Sequence, residues 1–185
     1  MKTYTVKDLM VPLSEYATVP VGSTLYEAML ALEKAQEEFD HTKYRHRGVL
    51  IMDKDRRVIG KLSHMDALRA LEPKEDRTTG IKDLIQYGFS HRFVTDLRKQ
   101  ERLKAEPLSD LCTKTSALKV EDFMRATAEG ELIDHEASLD IAIHQLVLGN
   151  HLSLLATKNG ITIGILRLAD VFAAVFHAMK TCETA

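Results

Sequence analysis

The sequence predicts an α/β (α+β) fold made of two similar β-α-β-β-α units in tandem. Three observations predict it: a short motif occurs twice, the copies stay in register over most of their length, and both show the same changes of apolar periodicity. The chain has 185 residues, of which 45% are hydrophobic and 28% charged. These values are typical of a single compact domain, assigned here to residues 1–185.

The repeat begins with Val6-Lys7-Asp8-Leu9-Met10, which recurs 114 residues later as Val120-Glu121-Asp122-Phe123-Met124. The same spacing relates residues 23–28 to residues 137–142. Two matching segments in the same order indicate that the chain contains an internal duplication.

Further along, the spacing between the copies falls to 104. There residues 58–62 correspond to residues 162–166, and Asp66 corresponds to Asp170. The first copy therefore has about ten extra residues, which we place within residues 34–43.

Each copy opens with a short extended segment, at residues 17–19 or 131–133, followed by a helix that begins at Ser or Thr. Apolar residues at positions i, i+3, i+4 and i+7 indicate these helices. They are Leu25, Ala28, Met29 and Leu32 in the first copy, and Leu139, Ala142, Ile143 and Leu146 in the second.

An apolar strand follows in each copy, at residues 49–52 or 152–156, and a polar turn leads to a second strand. The apolar period then becomes helical again. The apolar face of this last helix is Met65, Leu68 and Leu71 in the first copy, and Leu168, Val171, Phe172, Val175 and Phe176 in the second. Neither unit is large enough to be stable alone, so we expect the two to share one core.

Charge and hydropathy exclude several classes of protein. Twenty-five basic and 27 acidic residues give a net charge of −2, which favours neither nucleic acid nor anionic lipid as a partner. No apolar stretch approaches the roughly 20 residues that span a bilayer, and residues 1–10 lack an apolar signal segment. Cys112 and Cys182 have no metal-site spacing and are expected to be reduced thiols. We therefore expect a cytoplasmic protein.

Sequence motifs for metal binding or catalysis are also missing. The eight histidines form no His-Glu-x-x-His or His-x-His motif. The chain has no Gly-x-Ser-x-Gly elbow and no Walker lysine. We therefore expect neither a metal centre nor an enzyme.

The opening motif, the apolar strand ending at Asp53 and the Gly-x-x-Ser-x-x-Asp run from Gly60 to Asp66 together resemble a CBS motif. The resemblance covers residues 6–71 and 120–178, so the chain is similar to a CBS pair, or Bateman module. It implies two motifs packed about a pseudo-twofold axis, with residues 72–119 as a helical linker. It also implies clefts that bind AMP, ADP, ATP or S-adenosylmethionine, with magnesium arriving on the nucleotide phosphates.

Several residues are expected to hold that ligand. Ser63 stands at a helix start, where free N–H groups favour phosphate, and Asp66, three residues on, can accept hydrogen bonds from ribose. Equally, Ser63 and Asp66 could serve only as a helix cap. The resemblance adds backbone contacts to adenine and nearby basic groups. The full expected set is Ala17, Thr18, Val19, Arg45, His46, Arg47, Ser63, His64, Asp66, His151, Arg167 and Asp170.

The second signature departs from the family pattern because Arg167 stands where the first has Ser63. Arg167 could bind phosphate as a bidentate fork, or it could fill the cleft and pair with Asp170. The basic residues at positions 45–47 could equally be a solvated loop. We expect one well-formed site, at the first signature, and one altered site.

The linker carries an apolar stripe formed by Ile81, Leu84, Ile85, Phe89, Phe93 and Leu97. We expect this stripe to pack on the module; the alternatives are that it builds a dimer interface or presents a surface that a partner recognises. As a whole, the sequence predicts a regulatory nucleotide sensor that forms a homodimer and acts on a separate effector protein. The alternative is an adaptor that keeps the fold, binds no ligand and works through protein contacts.

Overall fold

The computed structural model describes residues 4–39, 44–71, 88–96 and 111–182. The first half contains α1 (Val6–Leu9), β1 (Val11–Pro12), β2 (Thr18–Pro20), α2 (Leu25–Glu38), β3 (Gly48–Met52), β4 (Val58–Ser63) and α3 (His64–Leu71). The second contains α4 (Leu111–Ala117), β5 (Arg125–Ala126), β6 (Leu132–Asp134), α5 (Leu139–Leu148), β7 (Ser153–Lys158), β8 (Ile161–Arg167) and α6 (Leu168–Cys182). The predicted β-α-β-β-α order is confirmed in both halves.

The first long helix of each half begins where the sequence predicts, because a hydroxyl caps it. The Thr24 hydroxyl accepts a hydrogen bond from the Glu27 amide, and the Glu27 carboxylate accepts one from the Thr24 amide at 2.6 Å. Ser138 accepts from the Ile141 amide in the same way. Such caps satisfy amides that have no partner inside the helix.

The strands form two four-stranded sheets, ordered β2-β3-β4-β5 and β1-β8-β7-β6. Each sheet has two edge strands, and one of them comes from the segment that opens the other half. This strand is β5 in the first sheet and β1 in the second. Strand β1 pairs antiparallel with β8, with Val11 opposite Ile165, and β5 pairs antiparallel with β4, with Gly60 opposite Ala126. The two halves therefore exchange a strand and complete each other's sheets.

The strand exchange explains why each half carries a methionine in its opening motif and a glycine in its last strand. Met124, from the second half, lies over Gly60, where an added Cβ would come within 2.6 Å of the methionine sulfur. Met10, from the first half, lies over Gly164 in the same manner. Each Met therefore packs on the glycine of the opposite half, which has no side chain to exclude it.

Buried side chains form three clusters. One lies in each half, between its sheet and its helices. The third joins the two sheets and consists of Val11, Tyr16, Phe39, Leu50, Leu155 and Ile165. The shared core that the sequence predicts is therefore present.

The extra residues of the first half lie in two places. Equivalent positions are 114 residues apart at the helix caps, 105 apart where β3 and β7 begin, and 104 apart where β4 and β8 end. Helix α2 has 14 residues and α5 has ten, so part of the insertion adds a helical turn. Residues 40–43, which fall in the predicted insertion, lie outside the described residues.

The apolar faces of the last helix in each half are only partly buried. In α3 the side chains of Met65 and Leu68 point to solvent, whereas Ala67 and Ala70 are buried. In α6 Val171 is buried, but Leu168, Phe172 and Phe176 are exposed. Small residues on the inner side let each helix approach its sheet closely, and this leaves the larger ones outside.

The prediction that the apolar stripe of the linker packs on the module is wrong at the two stripe positions that the structure describes. Phe89 and Phe93 are exposed and stack on each other, with ring centroids 5.5 Å apart, whereas Val94 is buried. Each phenylalanine covers the other's ring, so neither has to pack on the module. Ile81, Leu84, Ile85 and Leu97 of the same stripe lie outside the described residues, as do the side chains of Cys112 and Cys182.

Candidate ligand-binding site

The first signature turns the chain from β4 into α3 and forms a capping box. The Asp66 amide donates to the Ser63 hydroxyl at 3.2 Å. In return, both the Ser63 amide and its hydroxyl donate to Oδ2 of Asp66, the amide at 2.9 Å. This is the helix-cap role that the sequence allowed for both residues, and it holds the Asp66 carboxylate at the start of α3.

Two arginines that were not predicted converge on the Asp66 carboxylate. Arg69, one turn further along α3, places Nη1 3.2 Å from Oδ1, and Arg125 of β5 places Nε 3.5 Å from Oδ2. Both arginine side chains are about two-thirds exposed, whereas Asp66 is only 4% exposed. The carboxylate is therefore fixed, and its two cationic partners are accessible to solvent.

The ionisation of Asp66 follows from these contacts. Burial raises the pKa of its carboxyl, but the hydrogen bonds from Ser63 and the charges of Arg125 and Arg69 outweigh burial. The pKa of Asp66 consequently lies below its ordinary value, and the group is an anion at neutral pH.

A cavity of about 460 Å³ opens beside the start of α3. It is lined by Gln36, Tyr44, Arg45, His46, Arg47 and His64. The backbone holds this arrangement together, because the His64 amide donates to the Arg47 carbonyl at 3.2 Å and Gln36 donates to the His46 carbonyl at 3.1 Å. Four of the predicted ligand-binding residues, Arg45, His46, Arg47 and His64, thus surround one cavity.

The predicted adenine segment begins at Ala17, directly before β2, and continues into that strand, which lies at the edge of its sheet. Ala17 and Val19 are buried in the core, and Thr18 is partly exposed. Parallel pairing with β3 uses one side of the strand, and the Ala17 carbonyl accepts from the Leu50 amide at 3.0 Å. Polar backbone groups on the other side of β2 are not part of this ladder.

In the second signature, Arg167 pairs with Asp170. Its guanidinium donates to both carboxylate oxygens of Asp170, with Nη2 2.7 Å from Oδ1. Arg167 is only 6% exposed. Of the two roles that the sequence left open for Arg167, the structure shows the pair with Asp170.

Arg167 also reaches across to the first half. Its Nη1 donates to the Tyr44 carbonyl at 2.6 Å and lies 3.3 Å from Nδ1 of His46. The guanidinium carbon stands 5.4 Å from the centre of the Phe39 ring. Arg167 thereby links Asp170 of the second half to the basic segment of the first.

His46 points away from solvent and into an aromatic setting. Its ring centroid is 4.4 Å from that of Tyr16 and 4.2 Å from that of Phe39. Burial and the nearby charge of Arg167 lower the pKa of His46, so the imidazole is neutral and Nδ1 can accept from the guanidinium. Burial likewise raises the pKa of Tyr16 to about 12.

His151 occupies the position in the second half that His46 occupies in the first, because both precede the first residue of the equivalent strand by two. Its setting is different: Nδ1 lies 3.8 Å from Oε1 of Glu131, which pairs with Lys61 at 2.7 Å. Burial raises the pKa of Glu131, and Lys61 more than offsets this effect. His151 therefore belongs to a second polar group that joins the two halves.

The predicted residues consequently fall into separate groups. Ser63 is joined to Asp66, the four cavity residues lie together, Arg167 joins Asp170 to His46, and His151 lies with Lys61 and Glu131. Reasoning from sequence missed Tyr16, Phe39, Lys61, Arg69, Arg125 and Glu131. Only Arg69 had a local signal, since it stands three residues after Asp66 on the same helix.

Among the described residues, no group of three or more His, Cys, Asp or Glu side chains is arranged to hold a metal ion. In the same part of the chain, no helix combines the length and apolar character needed to cross a bilayer.

Comparison with known families gives a match to the CBS domain over residues 6–73. No curated protein matches the chain. The fold is similar to that of CBSX2 in complex with AMP, at 22% identity over 94% of this chain and 97% of that one, with a TM-score of 0.58. CBSX2 from Arabidopsis thaliana is 18% identical over 96% and 97%, with a TM-score of 0.60. A CBS domain-containing protein of unknown function from Kribbella flavida is 15% identical over 94% and 98%, with a TM-score of 0.62.

Proposed function

Because the chain is a CBS-domain protein with the fold of a CBS pair, we propose that it is a regulatory module that binds an adenine nucleotide and acts on a separate effector protein. One observation carries the proposal. Arg45, His46, Arg47 and His64 surround a single cavity at the start of α3, the helix that the first signature begins.

The cavity suits phosphate. Arg45 and Arg47 are exposed cations that can form bidentate hydrogen bonds to phosphate oxygens. The start of α3 adds backbone amides and the positive end of a helix dipole. A chain of two or three phosphates provides enough negative charge for both arginines, so ADP and ATP fit the cavity better than AMP.

Asp66 is the proposed ribose partner. Its Oδ1 is held only by exposed Arg69, among the contacts of the described residues, so ribose hydroxyls can replace Arg69 there. The Ser63 hydroxyl already donates to Asp66 and accepts from its amide. Ser63 therefore serves first to orient Asp66, and its contact with phosphate requires that hydrogen bond to rearrange.

The outer backbone edge of Ala17, Thr18 and Val19 is proposed to receive the adenine ring, whose edge carries both donors and acceptors. One of the proteins of similar fold was crystallised with AMP, which supports an adenosine compound as the ligand. S-adenosylmethionine has no phosphates and would leave the arginines of the cavity unused. Magnesium would accompany ATP.

The second signature is proposed to bind no nucleotide. Both oxygens of Asp170 are taken by Arg167, and the guanidinium fills the space beside Phe39. We expect a stoichiometry near one nucleotide per chain, with His151 outside the occupied site.

The exposed apolar residues of α3 and α6 are proposed to form a homodimer interface. Phe172 and Phe176 stack in parallel on α6, and Met65 and Leu68 hold similar places on α3. Exposed apolar residues of this kind are unfavourable in water and are typical of an interface between subunits. We propose a cytoplasmic, non-catalytic homodimer that binds neither nucleic acid nor membrane.

The adaptor alternative is favoured by one observation, the Arg167–Asp170 pair, which supports a second signature that is closed to ligand. If the first signature were closed in the same way, by Arg69 and Arg125, the module would act through protein contacts alone.

Isothermal titration calorimetry of the protein with AMP, ADP, ATP, S-adenosylmethionine and adenosine, with and without magnesium, separates the two functions. The sensor is expected to release or absorb heat with ATP or ADP at a stoichiometry near one, and to melt at a higher temperature. If no compound gives heat or a melting shift at millimolar concentration, the adaptor is the correct function.

A further inference from the structure

We infer that Arg167 is a positioning residue for the basic segment (residues 44–47), so that phosphate affinity in the first half depends on an arginine of the second half. The inference deepens the proposed function and rests on it for its effect on nucleotide binding. Arg167 contacts the basic segment, and we do not propose that it touches the ligand.

Arg167 connects the start of α6 to the basic segment of the first half. Two of its nitrogens bind Asp170, which is fixed at the start of α6, and the third side of the guanidinium faces the first half. There Nη1 donates to the Tyr44 carbonyl at 2.6 Å and contacts Nδ1 of His46 at 3.3 Å. A charged hydrogen bond to a carbonyl is stronger than a neutral one.

The two residues that Arg167 contacts are direct neighbours of the exposed arginines of the cavity. Arg167 holds Tyr44 and His46, and the exposed cations are Arg45 and Arg47. Fixing the backbone at Tyr44 and the ring at His46 therefore limits where the two guanidiniums can go. A pre-ordered pair of arginines binds phosphate more tightly than a loose pair, because less freedom is lost on binding.

The first signature carries Ser63 at the position of Arg167. Among the contacts of the described residues, the Ser63 hydroxyl reaches only Asp66, three residues away. The two signatures therefore differ in structure at this position, since Arg167 contacts the opposite half and Ser63 does not.

The substitution Arg167→Ser tests the inference without leaving a buried carboxylate unpaired. Asp170 would then have the amide and hydroxyl partners that Asp66 has in the first signature, without counterparts of Arg69 and Arg125. Arg167→Lys keeps a charge for Asp170 but cannot donate in three directions in one plane. Arg57→Ser, an exposed arginine at the opposite end of the β3–β4 hairpin, is the matched control.

The first measurement is hydrogen exchange of the backbone amides of residues 44–47 in the unliganded proteins. We expect R167S to exchange roughly 10-fold faster than wild type in this segment, R167K to be intermediate and R57S to be unchanged. Exchange in α5, far from the segment along the chain, should stay as in wild type. Equal exchange in wild type and R167S at residues 44–47 would overturn the inference.

The second measurement separates positioning from a general loss of structure. Calorimetric affinities for ATP and adenosine are compared, and R167S is expected to lose roughly 10-fold for ATP while adenosine binding stays the same. An equal loss for both ligands, or none for ATP, would also overturn the inference. If wild type binds neither ligand but exchange still rises in R167S, the proposed function fails and the positioning role stands.

Discussion

Met124 lies against Gly60 across the exchanged strands, with its sulfur 2.6 Å from where a Cβ on Gly60 would be. Met10 and Gly164 repeat the contact, but there a Cβ would also meet the backbone carbonyl of Val11 at 2.7 Å. A methionine side chain can move away from such a clash, whereas the carbonyl of a paired strand cannot.

The two contacts predict different double-mutant cycles. Gly60→Ala and Gly164→Ala should each lower the free energy of unfolding by about 1 to 3 kcal/mol through overpacking. Met124→Ala should remove part of the penalty of G60A, but Met10→Ala should not remove that of G164A. Urea denaturation of the singles and doubles gives the coupling energies. Gly130→Ala is the control, since the nearest atom is 3.8 Å from its Cβ.

Asp66→Ala is expected to weaken ATP binding by roughly 1 to 3 kcal/mol, because hydrogen bonds from ribose to a carboxylate are lost. Asp55→Ala, which removes an exposed carboxylate from the turn between β3 and β4, is the control and should leave the affinity unchanged. Calorimetry gives both affinities, and circular dichroism checks the fold. A 2′,3′-dideoxy analogue of ATP should bind wild type and D66A equally, and a difference between them would contradict the ribose role.

Stability should fall as the pH is lowered through the range just below 6.5, because of His46. Its folded pKa is lowered by burial and by Arg167, so the unfolded chain takes up the proton first. The stabilising effect of the neutral ring is thus complete above pH 6.5 and decreases below it. Thermal melts of wild type and His46→Gln from pH 7.5 to 5 measure this, with the slope reduced in H46Q. Parallel slopes for the two proteins would refute the assignment.

A charge on the exposed face of α6 should prevent the proposed dimer. Phe172→Asp is expected to turn a dimer into a monomer, because the carboxylate would be buried without a partner in the interface. Leu148→Asp on α5 alters a side chain that is similarly exposed and should leave the dimer intact. Sedimentation at several concentrations measures the mass of each. A wild-type monomer at 100-fold the lowest concentration would rule out the interface.

The fold could be predicted from the sequence because its signals are local. Thr24 and Ser138 mark helix starts by their own hydrogen bonds, and the repeat of Val6–Met10 fixes the duplication. The strand exchange could not be predicted, because nothing near Val11 shows that its partner is Ile165, more than 150 residues away.

The part of the candidate site that could be predicted from the sequence is the part whose contacts are local. Ser63 and Asp66 lie on one helical turn, so their spacing shows their contact. Arg125 and Lys61 act on carboxylates of the opposite half, and only the three-dimensional arrangement brings those groups together. Met65 and Leu68 have the correct period but face outward, because periodicity identifies an apolar face and does not say what covers it.

The exchange of strands also constrains how the chain can fold as it is synthesised. Strand β1 emerges from the ribosome about 150 residues before its partner β8. During that interval β1 has no native partner, and the sheet of the second half cannot be complete before it returns. Contacts so distant in sequence slow folding. Strand β1 is therefore exposed to chaperones and proteases for longer than β5, whose partner β4 precedes it in the chain.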